Sequence, residues 1–231
     1  MDFGSVTLSR VELQQRTFVT KVYGWMTVAL VITAVVALAV VNTPSLTRLF
    51  LGNPALLIGL CIGELALVFV LSAAMGRLAA VTAMYLFLLY SALNGITLSG
   101  IFLVFTAESI ATTFFVTAGM FAVVSAYGYF TKADLTTLGS LCFMTLIGVI
   151  LASLVNVFLG STRLNWIITY VGILVFVGLT AYDTQKIKVM GQAGIERGDE
   201  QTKGAILGAL ALYLDFINLF LLLLRLFGRR D

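Results

Sequence analysis

Seven stretches of this chain are each long and apolar enough to cross a bilayer, and that one feature constrains everything else. A spanning helix needs about 20 mainly apolar residues. The runs lie near 22–42, 54–76, 79–103, 108–130, 136–159, 164–186 and 205–227 of 231 residues. They have helix length, not the alternating ten-residue pattern of an outer-membrane barrel. With 60% hydrophobic and 11% charged residues, a water-soluble fold could not cover its apolar surface. The expected fold is therefore an all-α polytopic membrane protein. It comprises a polar cytoplasmic segment at 1–21 and one seven-helix transmembrane domain at 22–231, in contact with the lipid bilayer. The first twenty residues contain Asp2 and Glu12 and do not look like a cleavable signal, so the first helix is expected to be an uncleaved anchor. Pro44 and Pro54 bracket the first loop, and the longest polar connection is expected at 187–203.

What is absent excludes whole classes of chemistry. The chain has no histidine, which removes Ser-His-Asp triads, Cys-His dyads and His-ligated zinc. Cys61 and Cys142 lie in apolar runs and read as small hydrophobes, not a disulfide framework. No basic patch with interleaved aromatics points to nucleic acid. The charge of +3 is read instead as an orientation signal. With the N-terminus inside, cytoplasmic segments hold Arg10, Arg16, Lys21, Arg77, Lys132, Lys186, Lys188, Arg197 and Lys203. The outer loops then hold Arg48 and Arg163. Seven full spans put Arg229 and Arg230 outside, against the same rule, so the side of the C-terminus stays open. Tyr23, Trp25 and Trp166 sit near span ends, as interfacial aromatics do.

Three acids lie inside the spans, where charge is costly and tends to be paired or functional: Glu64, Asp183 and Asp215. On the seventh span Gly204, Gly208, Ala211, Asp215, Asn218 and Arg225 share one arc of about 100°. Small residues four apart let a neighbouring backbone approach, so this face is packed on protein or lines a cavity. Asp215 there is either a neutral interhelical hydrogen-bonding group or one member of a pair with Asp183. For Asp183 the plain alternative is an interfacial carboxylate matched to Lys186 or Lys188. Two carboxylates brought together in low dielectric cannot both ionise cheaply and share a proton. Depth tells against the pairing unless the sixth helix continues towards Met190. Glu64 follows Gly59 and Gly63, and its cationic candidates are Arg225 and Arg77. Thr97, Ser99, Thr112, Thr113, Thr117 and Ser125 read as packing glue between helices.

The run Ala181-Tyr182-Asp183-Thr184-Gln185-Lys186-Ile187-Lys188, with Leu212-Tyr213-Leu214-Asp215-Phe216-Ile217-Asn218-Leu219-Phe220 and a closing Leu224-Arg225-Leu226-Phe227-Gly228, resembles the Bax-inhibitor family in its bacterial branch. The resemblance covers essentially the whole chain. It implies six helices surrounding a central seventh, and a pH-sensitive calcium leak in the bacterial inner membrane. Asp183 and Asp215 are then the proton-sharing pH sensor and gate, and the weak, transient calcium ligands. Glu64 bonded to Arg225, with Asn218 nearby, would support them. Arg77 would take the place of a latch to the sixth-helix aspartate, about two residues late. No resident cofactor is implied beyond transient calcium; the partners are calcium ions and protons. Without histidine, carboxylates must carry any pH response.

Two other functions compete. A membrane regulatory protein would restrain a partner such as a quality-control protease, with Arg10–Lys21 as the contact. An intramembrane aspartyl protease would also place aspartates on neighbouring helices. It would need a Gly-x-Gly-Asp run, where this chain has Tyr213-Leu214-Asp215. No clear repeat between the halves suggests a transporter.

Overall fold

The computed structural model describes residues 3–192 and 198–229, with side chains from residue 12 onward. Among them there is no strand. The helices are α1 (Phe3–Val41), α2 (Pro44–Phe50), α3 (Pro54–Ala73), α4 (Ala80–Leu98), α5 (Ala107–Phe130), α6 (Thr136–Leu159), α7 (Thr162–Gln192) and α8 (Asp199–Phe227). Short 3₁₀ turns follow α3 at Met75–Arg77 and α4 at Ser99–Leu103. Seven helices are long and apolar enough to cross a membrane, one for each expected run.

The helix starts follow local chemistry. Pro44 and Pro54 stand in the first turns of α2 and α3, where a missing N–H costs nothing. Asn53 caps α3 by accepting the Leu56 N–H at 3.2 Å, and Thr106 caps α5 by accepting that of Ser109 at 3.2 Å. α6 stops at Gly160, whose φ of 59° is the left-handed turn that glycine adopts without strain.

Three boundaries differ from expectation. The polar start of the chain is helical, α1 running unbroken from Phe3 into the first span. The sixth span does not stop at 186, since α7 continues to Gln192. α8 begins at Asp199, so helix takes up both ends of the expected 187–203 connection. Glu196 and Arg197, like Asp2, Arg230 and Asp231, lie outside the described residues, as does the side chain of Arg10.

The chain divides into two compact units. The first comprises Met1–Val104 and Val189–Tyr213; the second comprises Phe105–Lys188 and Leu214–Asp231. In the first, α1 and α4 approach closely where Gly95 meets the Thr33 backbone. Phe87 and Tyr90 pack edge-on against Tyr213 there, at 6.1 and 5.8 Å. In the second, Cys142, Val175, Phe176, Leu179, Leu219 and Leu223 form a buried cluster. Phe114 and Phe121 pack edge-on against Phe216 beside it. α8 is the most buried span, with 67% of its apolar window covered against 6–44% for the others.

The second unit also fixes how α8 ends. Arg225 Nη1 donates to Asn165 Oδ1 at 3.0 Å, in the first turn of α7. The Arg229 N–H donates to Ser109 Oγ at 2.9 Å, and its carbonyl accepts the Thr106 N–H at 3.2 Å, at the start of α5. The end of α8 therefore lies on the face where α5 and α7 begin.

Candidate functional site

The candidate site lies wholly in the second unit, where α7 and α8 run antiparallel. Gly172 faces Leu222, and Asn165 bonds Arg225. Counted from the Gly172–Leu222 level, Asp183 is eleven residues on and Asp215 seven residues back. The axial offset is four residues, about 6 Å at the helical rise. Side chains tilt towards the N-terminus of their own helix, and in an antiparallel pair these two tilts point at each other. The Asp183 and Asp215 carboxyls accordingly meet within hydrogen-bonding reach. The extension of α7 to Gln192 resolves the depth difficulty by placing Asp183 nine residues inside the helix end.

Asp215 is 4% exposed, and its Oδ2 meets no N–H or O–H donor among the described residues. Asp183 is half-buried. Its alternative partners are engaged elsewhere: the Lys186 ammonium lies over the Tyr182 ring at 5.9 Å, and that of Lys188 over Tyr129 at 5.5 Å. Lys186 still acts on Asp183 through its charge, and Cys142 lies within the field of Asp215.

Close backbone approach sets this pairing. Ala181 of α7 presses on Gly128 of α5, and the Tyr182 ring lies across Gly139 of α6; a Cβ on either glycine would meet these neighbours below van der Waals distance. Two residues beyond Asp183, Gln185 clasps the α5–α6 connection. Its Oε1 accepts the Leu135 N–H at 2.9 Å and its Nε2 donates to the Ala133 carbonyl at 2.8 Å. Sequence reasoning missed Gln185, although a Gln in the same motif as an intramembrane acid was a usable signal.

Two of the supporting residues have hydrogen bonds inside their own units: Glu64 accepts from Thr97 Oγ1 at 2.9 Å, and Arg225 Nη1 donates to Asn165 Oδ1 at 3.0 Å. Arg77 stands exposed in the turn after α3 and makes no ion pair among the described residues, where the ion pair is Lys203–Glu200. Asn218 donates one of its two amide hydrogens to the Leu214 carbonyl of its own helix at 2.8 Å. Of the polar ladder, Ser99 and Thr117 donate to carbonyls three or four residues back, Ile96 at 2.6 Å and Thr113 at 2.7 Å, while Ser125 Oγ is buried without a hydrogen-bond partner among the described residues. No cluster of three or more acids or cysteines able to hold a metal occurs among the described residues. The two carboxylates together offer a passing cation only a sparse oxygen set.

A polar cluster in the first unit was also missed. Thr33 Oγ1 donates within reach of the Ala29 and Ser91 carbonyls, both at 2.9 Å, and meets the Tyr213 hydroxyl at 2.7 Å. Isolated Thr and Tyr residues carry no spacing signal that would have revealed it.

Comparison with known proteins gives the geometry a context. A family model described as inhibitor of apoptosis-promoting Bax1 matches residues 15–231. The inner membrane protein YbhL of Escherichia coli K12 is 56% identical over 228 residues, covering 98% of this chain and 96% of the relative. A protein of Borreliella burgdorferi is 43% identical over 218 residues, covering 94% of each. A membrane protein of Streptococcus pyogenes serotype M1 is 39% identical over 227 residues, covering 97% of each.

Proposed function

The chain belongs to the Bax-inhibitor family of membrane proteins, and from that premise we propose that it is a pH-sensitive calcium leak of the bacterial inner membrane, gated by a proton shared between Asp183 and Asp215. One observation carries the reading: the two carboxyls meet, and a buried oxygen of Asp215 has no donor among the described residues. A contact between two carboxyls attracts only while a proton lies between them. With both ionised it becomes like-charge repulsion in a medium that screens poorly. Loss of the proton therefore breaks the bond between α7 and α8 and leaves negative charge for a cation. Two carboxylates are too few to hold calcium tightly, which suits transit.

The test is calcium flux into proteoliposomes across a pH series, for the wild type, Asp183→Asn and Asp215→Asn. Wild-type flux is expected to depend on pH, with the dependence flattened in both variants. A wild-type pH profile retained by both would overturn the reading. A role as regulator of another membrane protein is compatible with it. The polar start of α1 supports such a contact, since the helix continues through it and Leu13 is 66% exposed. Co-purification of a partner that survives mutation of both aspartates would separate that role from the leak.

A further inference from the structure

On the face where α7 begins and α8 ends, the second unit carries a half-open cavity of about 400 Å³, lined by Asn156, Ser161, Thr162, Asn165, Trp166 and Arg225. Neither the proton-sharing pair nor the leak reading uses it. Its hydrogen bonds determine its chemistry. Asn156 Oδ1 accepts the Ser161 N–H at 3.0 Å, and Asn165 Oδ1 accepts Arg225 Nη1 at 3.0 Å. A backbone N–H and a guanidinium can only donate, so the oxygen end of each carboxamide faces them and the NH₂ end remains as donor. Ser161 Oγ accepts the Leu164 N–H at 3.4 Å, which leaves its own O–H to donate. Arg225 has spent one of its five N–H groups on Asn165. No Asp or Glu lines the cavity. The walls thus offer a full positive charge, two amide donors and hydroxyls, with no fixed negative charge. That set matches an anion with several acceptor oxygens, and a guanidinium fork matches phosphate in particular.

The position narrows the source. Arg225 is in the last turn of α8 and Thr162 in the first turn of α7, so the cavity opens at the depth of the lipid headgroups. Trp166 stacks on Tyr170 at 5.9 Å, and the two side chains are 42% and 53% exposed. Aromatic rings of this kind favour the membrane interface, where one edge is apolar and the other wet. The cavity is also roomier than inorganic phosphate requires.

We propose that the Asn156–Asn165–Arg225 cavity is a binding site for the phosphate of a phospholipid headgroup, with Arg225 taking the phosphate oxygens and Trp166 lying beside the glycerol. Free phosphate shares the recognition chemistry, and the test separates the two sources. The chain has two tryptophans, so in a Trp25→Phe background the cavity carries its own reporter, Trp166. The full chain in neutral detergent is titrated with short-chain phosphatidylglycerol, with inorganic phosphate, and with a diacylglycerol of the same chain length lacking phosphate. A saturable change in Trp166 emission is expected with phosphatidylglycerol. Its midpoint should weaken about tenfold or more in Arg225→Gln, and severalfold in Asn156→Ala, at unchanged helical content and elution volume. Saturation by inorganic phosphate at equal concentration supports the anion site and assigns it to a free ion. An equal response to the phosphate-free lipid overturns the proposal, and this comparison needs no cavity variant. So does phosphatidylglycerol binding that Arg225→Gln leaves unchanged in a folded protein.

Discussion

Tyr213 shows how a hydroxyl is fixed where water is absent. Thr33 has one proton and two carbonyls in reach, so the 2.7 Å contact to Tyr213 is satisfied by the tyrosine donating. Tyr213→Phe keeps the ring against Phe87 and Tyr90 but leaves the Tyr213-facing side of the Thr33 oxygen without its donor. The expected loss is about 1 kcal/mol, read as a lowered midpoint of thermal unfolding in detergent. An unchanged midpoint would mean the hydroxyl contributes nothing there. Thr33→Val should cost more, since it also removes the proton offered to the Ala29 and Ser91 carbonyls, and the double variant should lose less than the sum because the Thr33–Tyr213 bond is shared. Residue type made the acids legible in sequence: Asp183 and Asp215 stand out because charge inside a span is costly. Tyr213 and Asn165 do not, since an uncharged polar side chain in a span has many unremarkable partners, and Gln185 is legible only through the motif it shares with Asp183. Glu64 and Arg225 likewise have hydrogen bonds, to Thr97 and Asn165, that sequence does not announce.

Hydropathy located all seven spans but not their ends. It reports where a helix meets lipid, and a helix leaves lipid before its hydrogen bonds stop. Lys186 and Lys188 ended the sixth span on hydropathy, yet α7 runs to Gln192 with their ammonium groups over Tyr182 and Tyr129. That continuation leaves Asp183 well inside the helix, four residues from the level of Asp215, so the candidate site depends on a helix end that composition conceals. Close packing around α7 gives this a test. At Gly128 an added Cβ would run into the Ala181 carbonyl, which is backbone and has no rotamer to yield. Gly128→Ala should force α7 away from α5 two residues from Asp183. The cost is expected to be about 1–3 kcal/mol, the usual range for overpacking. Because the displaced segment carries Asp183, the same variant should alter the pH profile of calcium flux. Gly119→Ala on the same helix meets open space and serves as the control, with neither stability nor flux reduced. Equal melting temperatures for the two variants would show that the Gly128 approach does not hold α7 in place.

At the scale of the whole molecule, seven full crossings would place the two ends of the chain on opposite sides of a bilayer. α8 ends beside the starts of α5 and α7, held by the Arg225 side chain and the Arg229 backbone, so its last turn does not fold back towards the start of its own helix. If all seven helices cross, alternation along the chain would put Arg16, Lys21, Arg77, Lys132, Lys186, Lys188 and Lys203 on the side of the N-terminus, against Arg48, Arg163 and Arg229 on the other. Positive residues in short loops favour the cytoplasm, and the first helices usually dominate, so two arginines at the C-terminus do not outweigh the rest. Green fluorescent protein fused to the N-terminus should fluoresce, while alkaline phosphatase fused after Asp231 should be active, and exchanging the two reporters should silence both. A C-terminal fluorescent fusion that shines as brightly as the N-terminal one would mean that α8 does not cross. It would also contradict the Arg225–Asn165 bond, which holds the end of α8 at the start of α7, and with it the cavity proposed there.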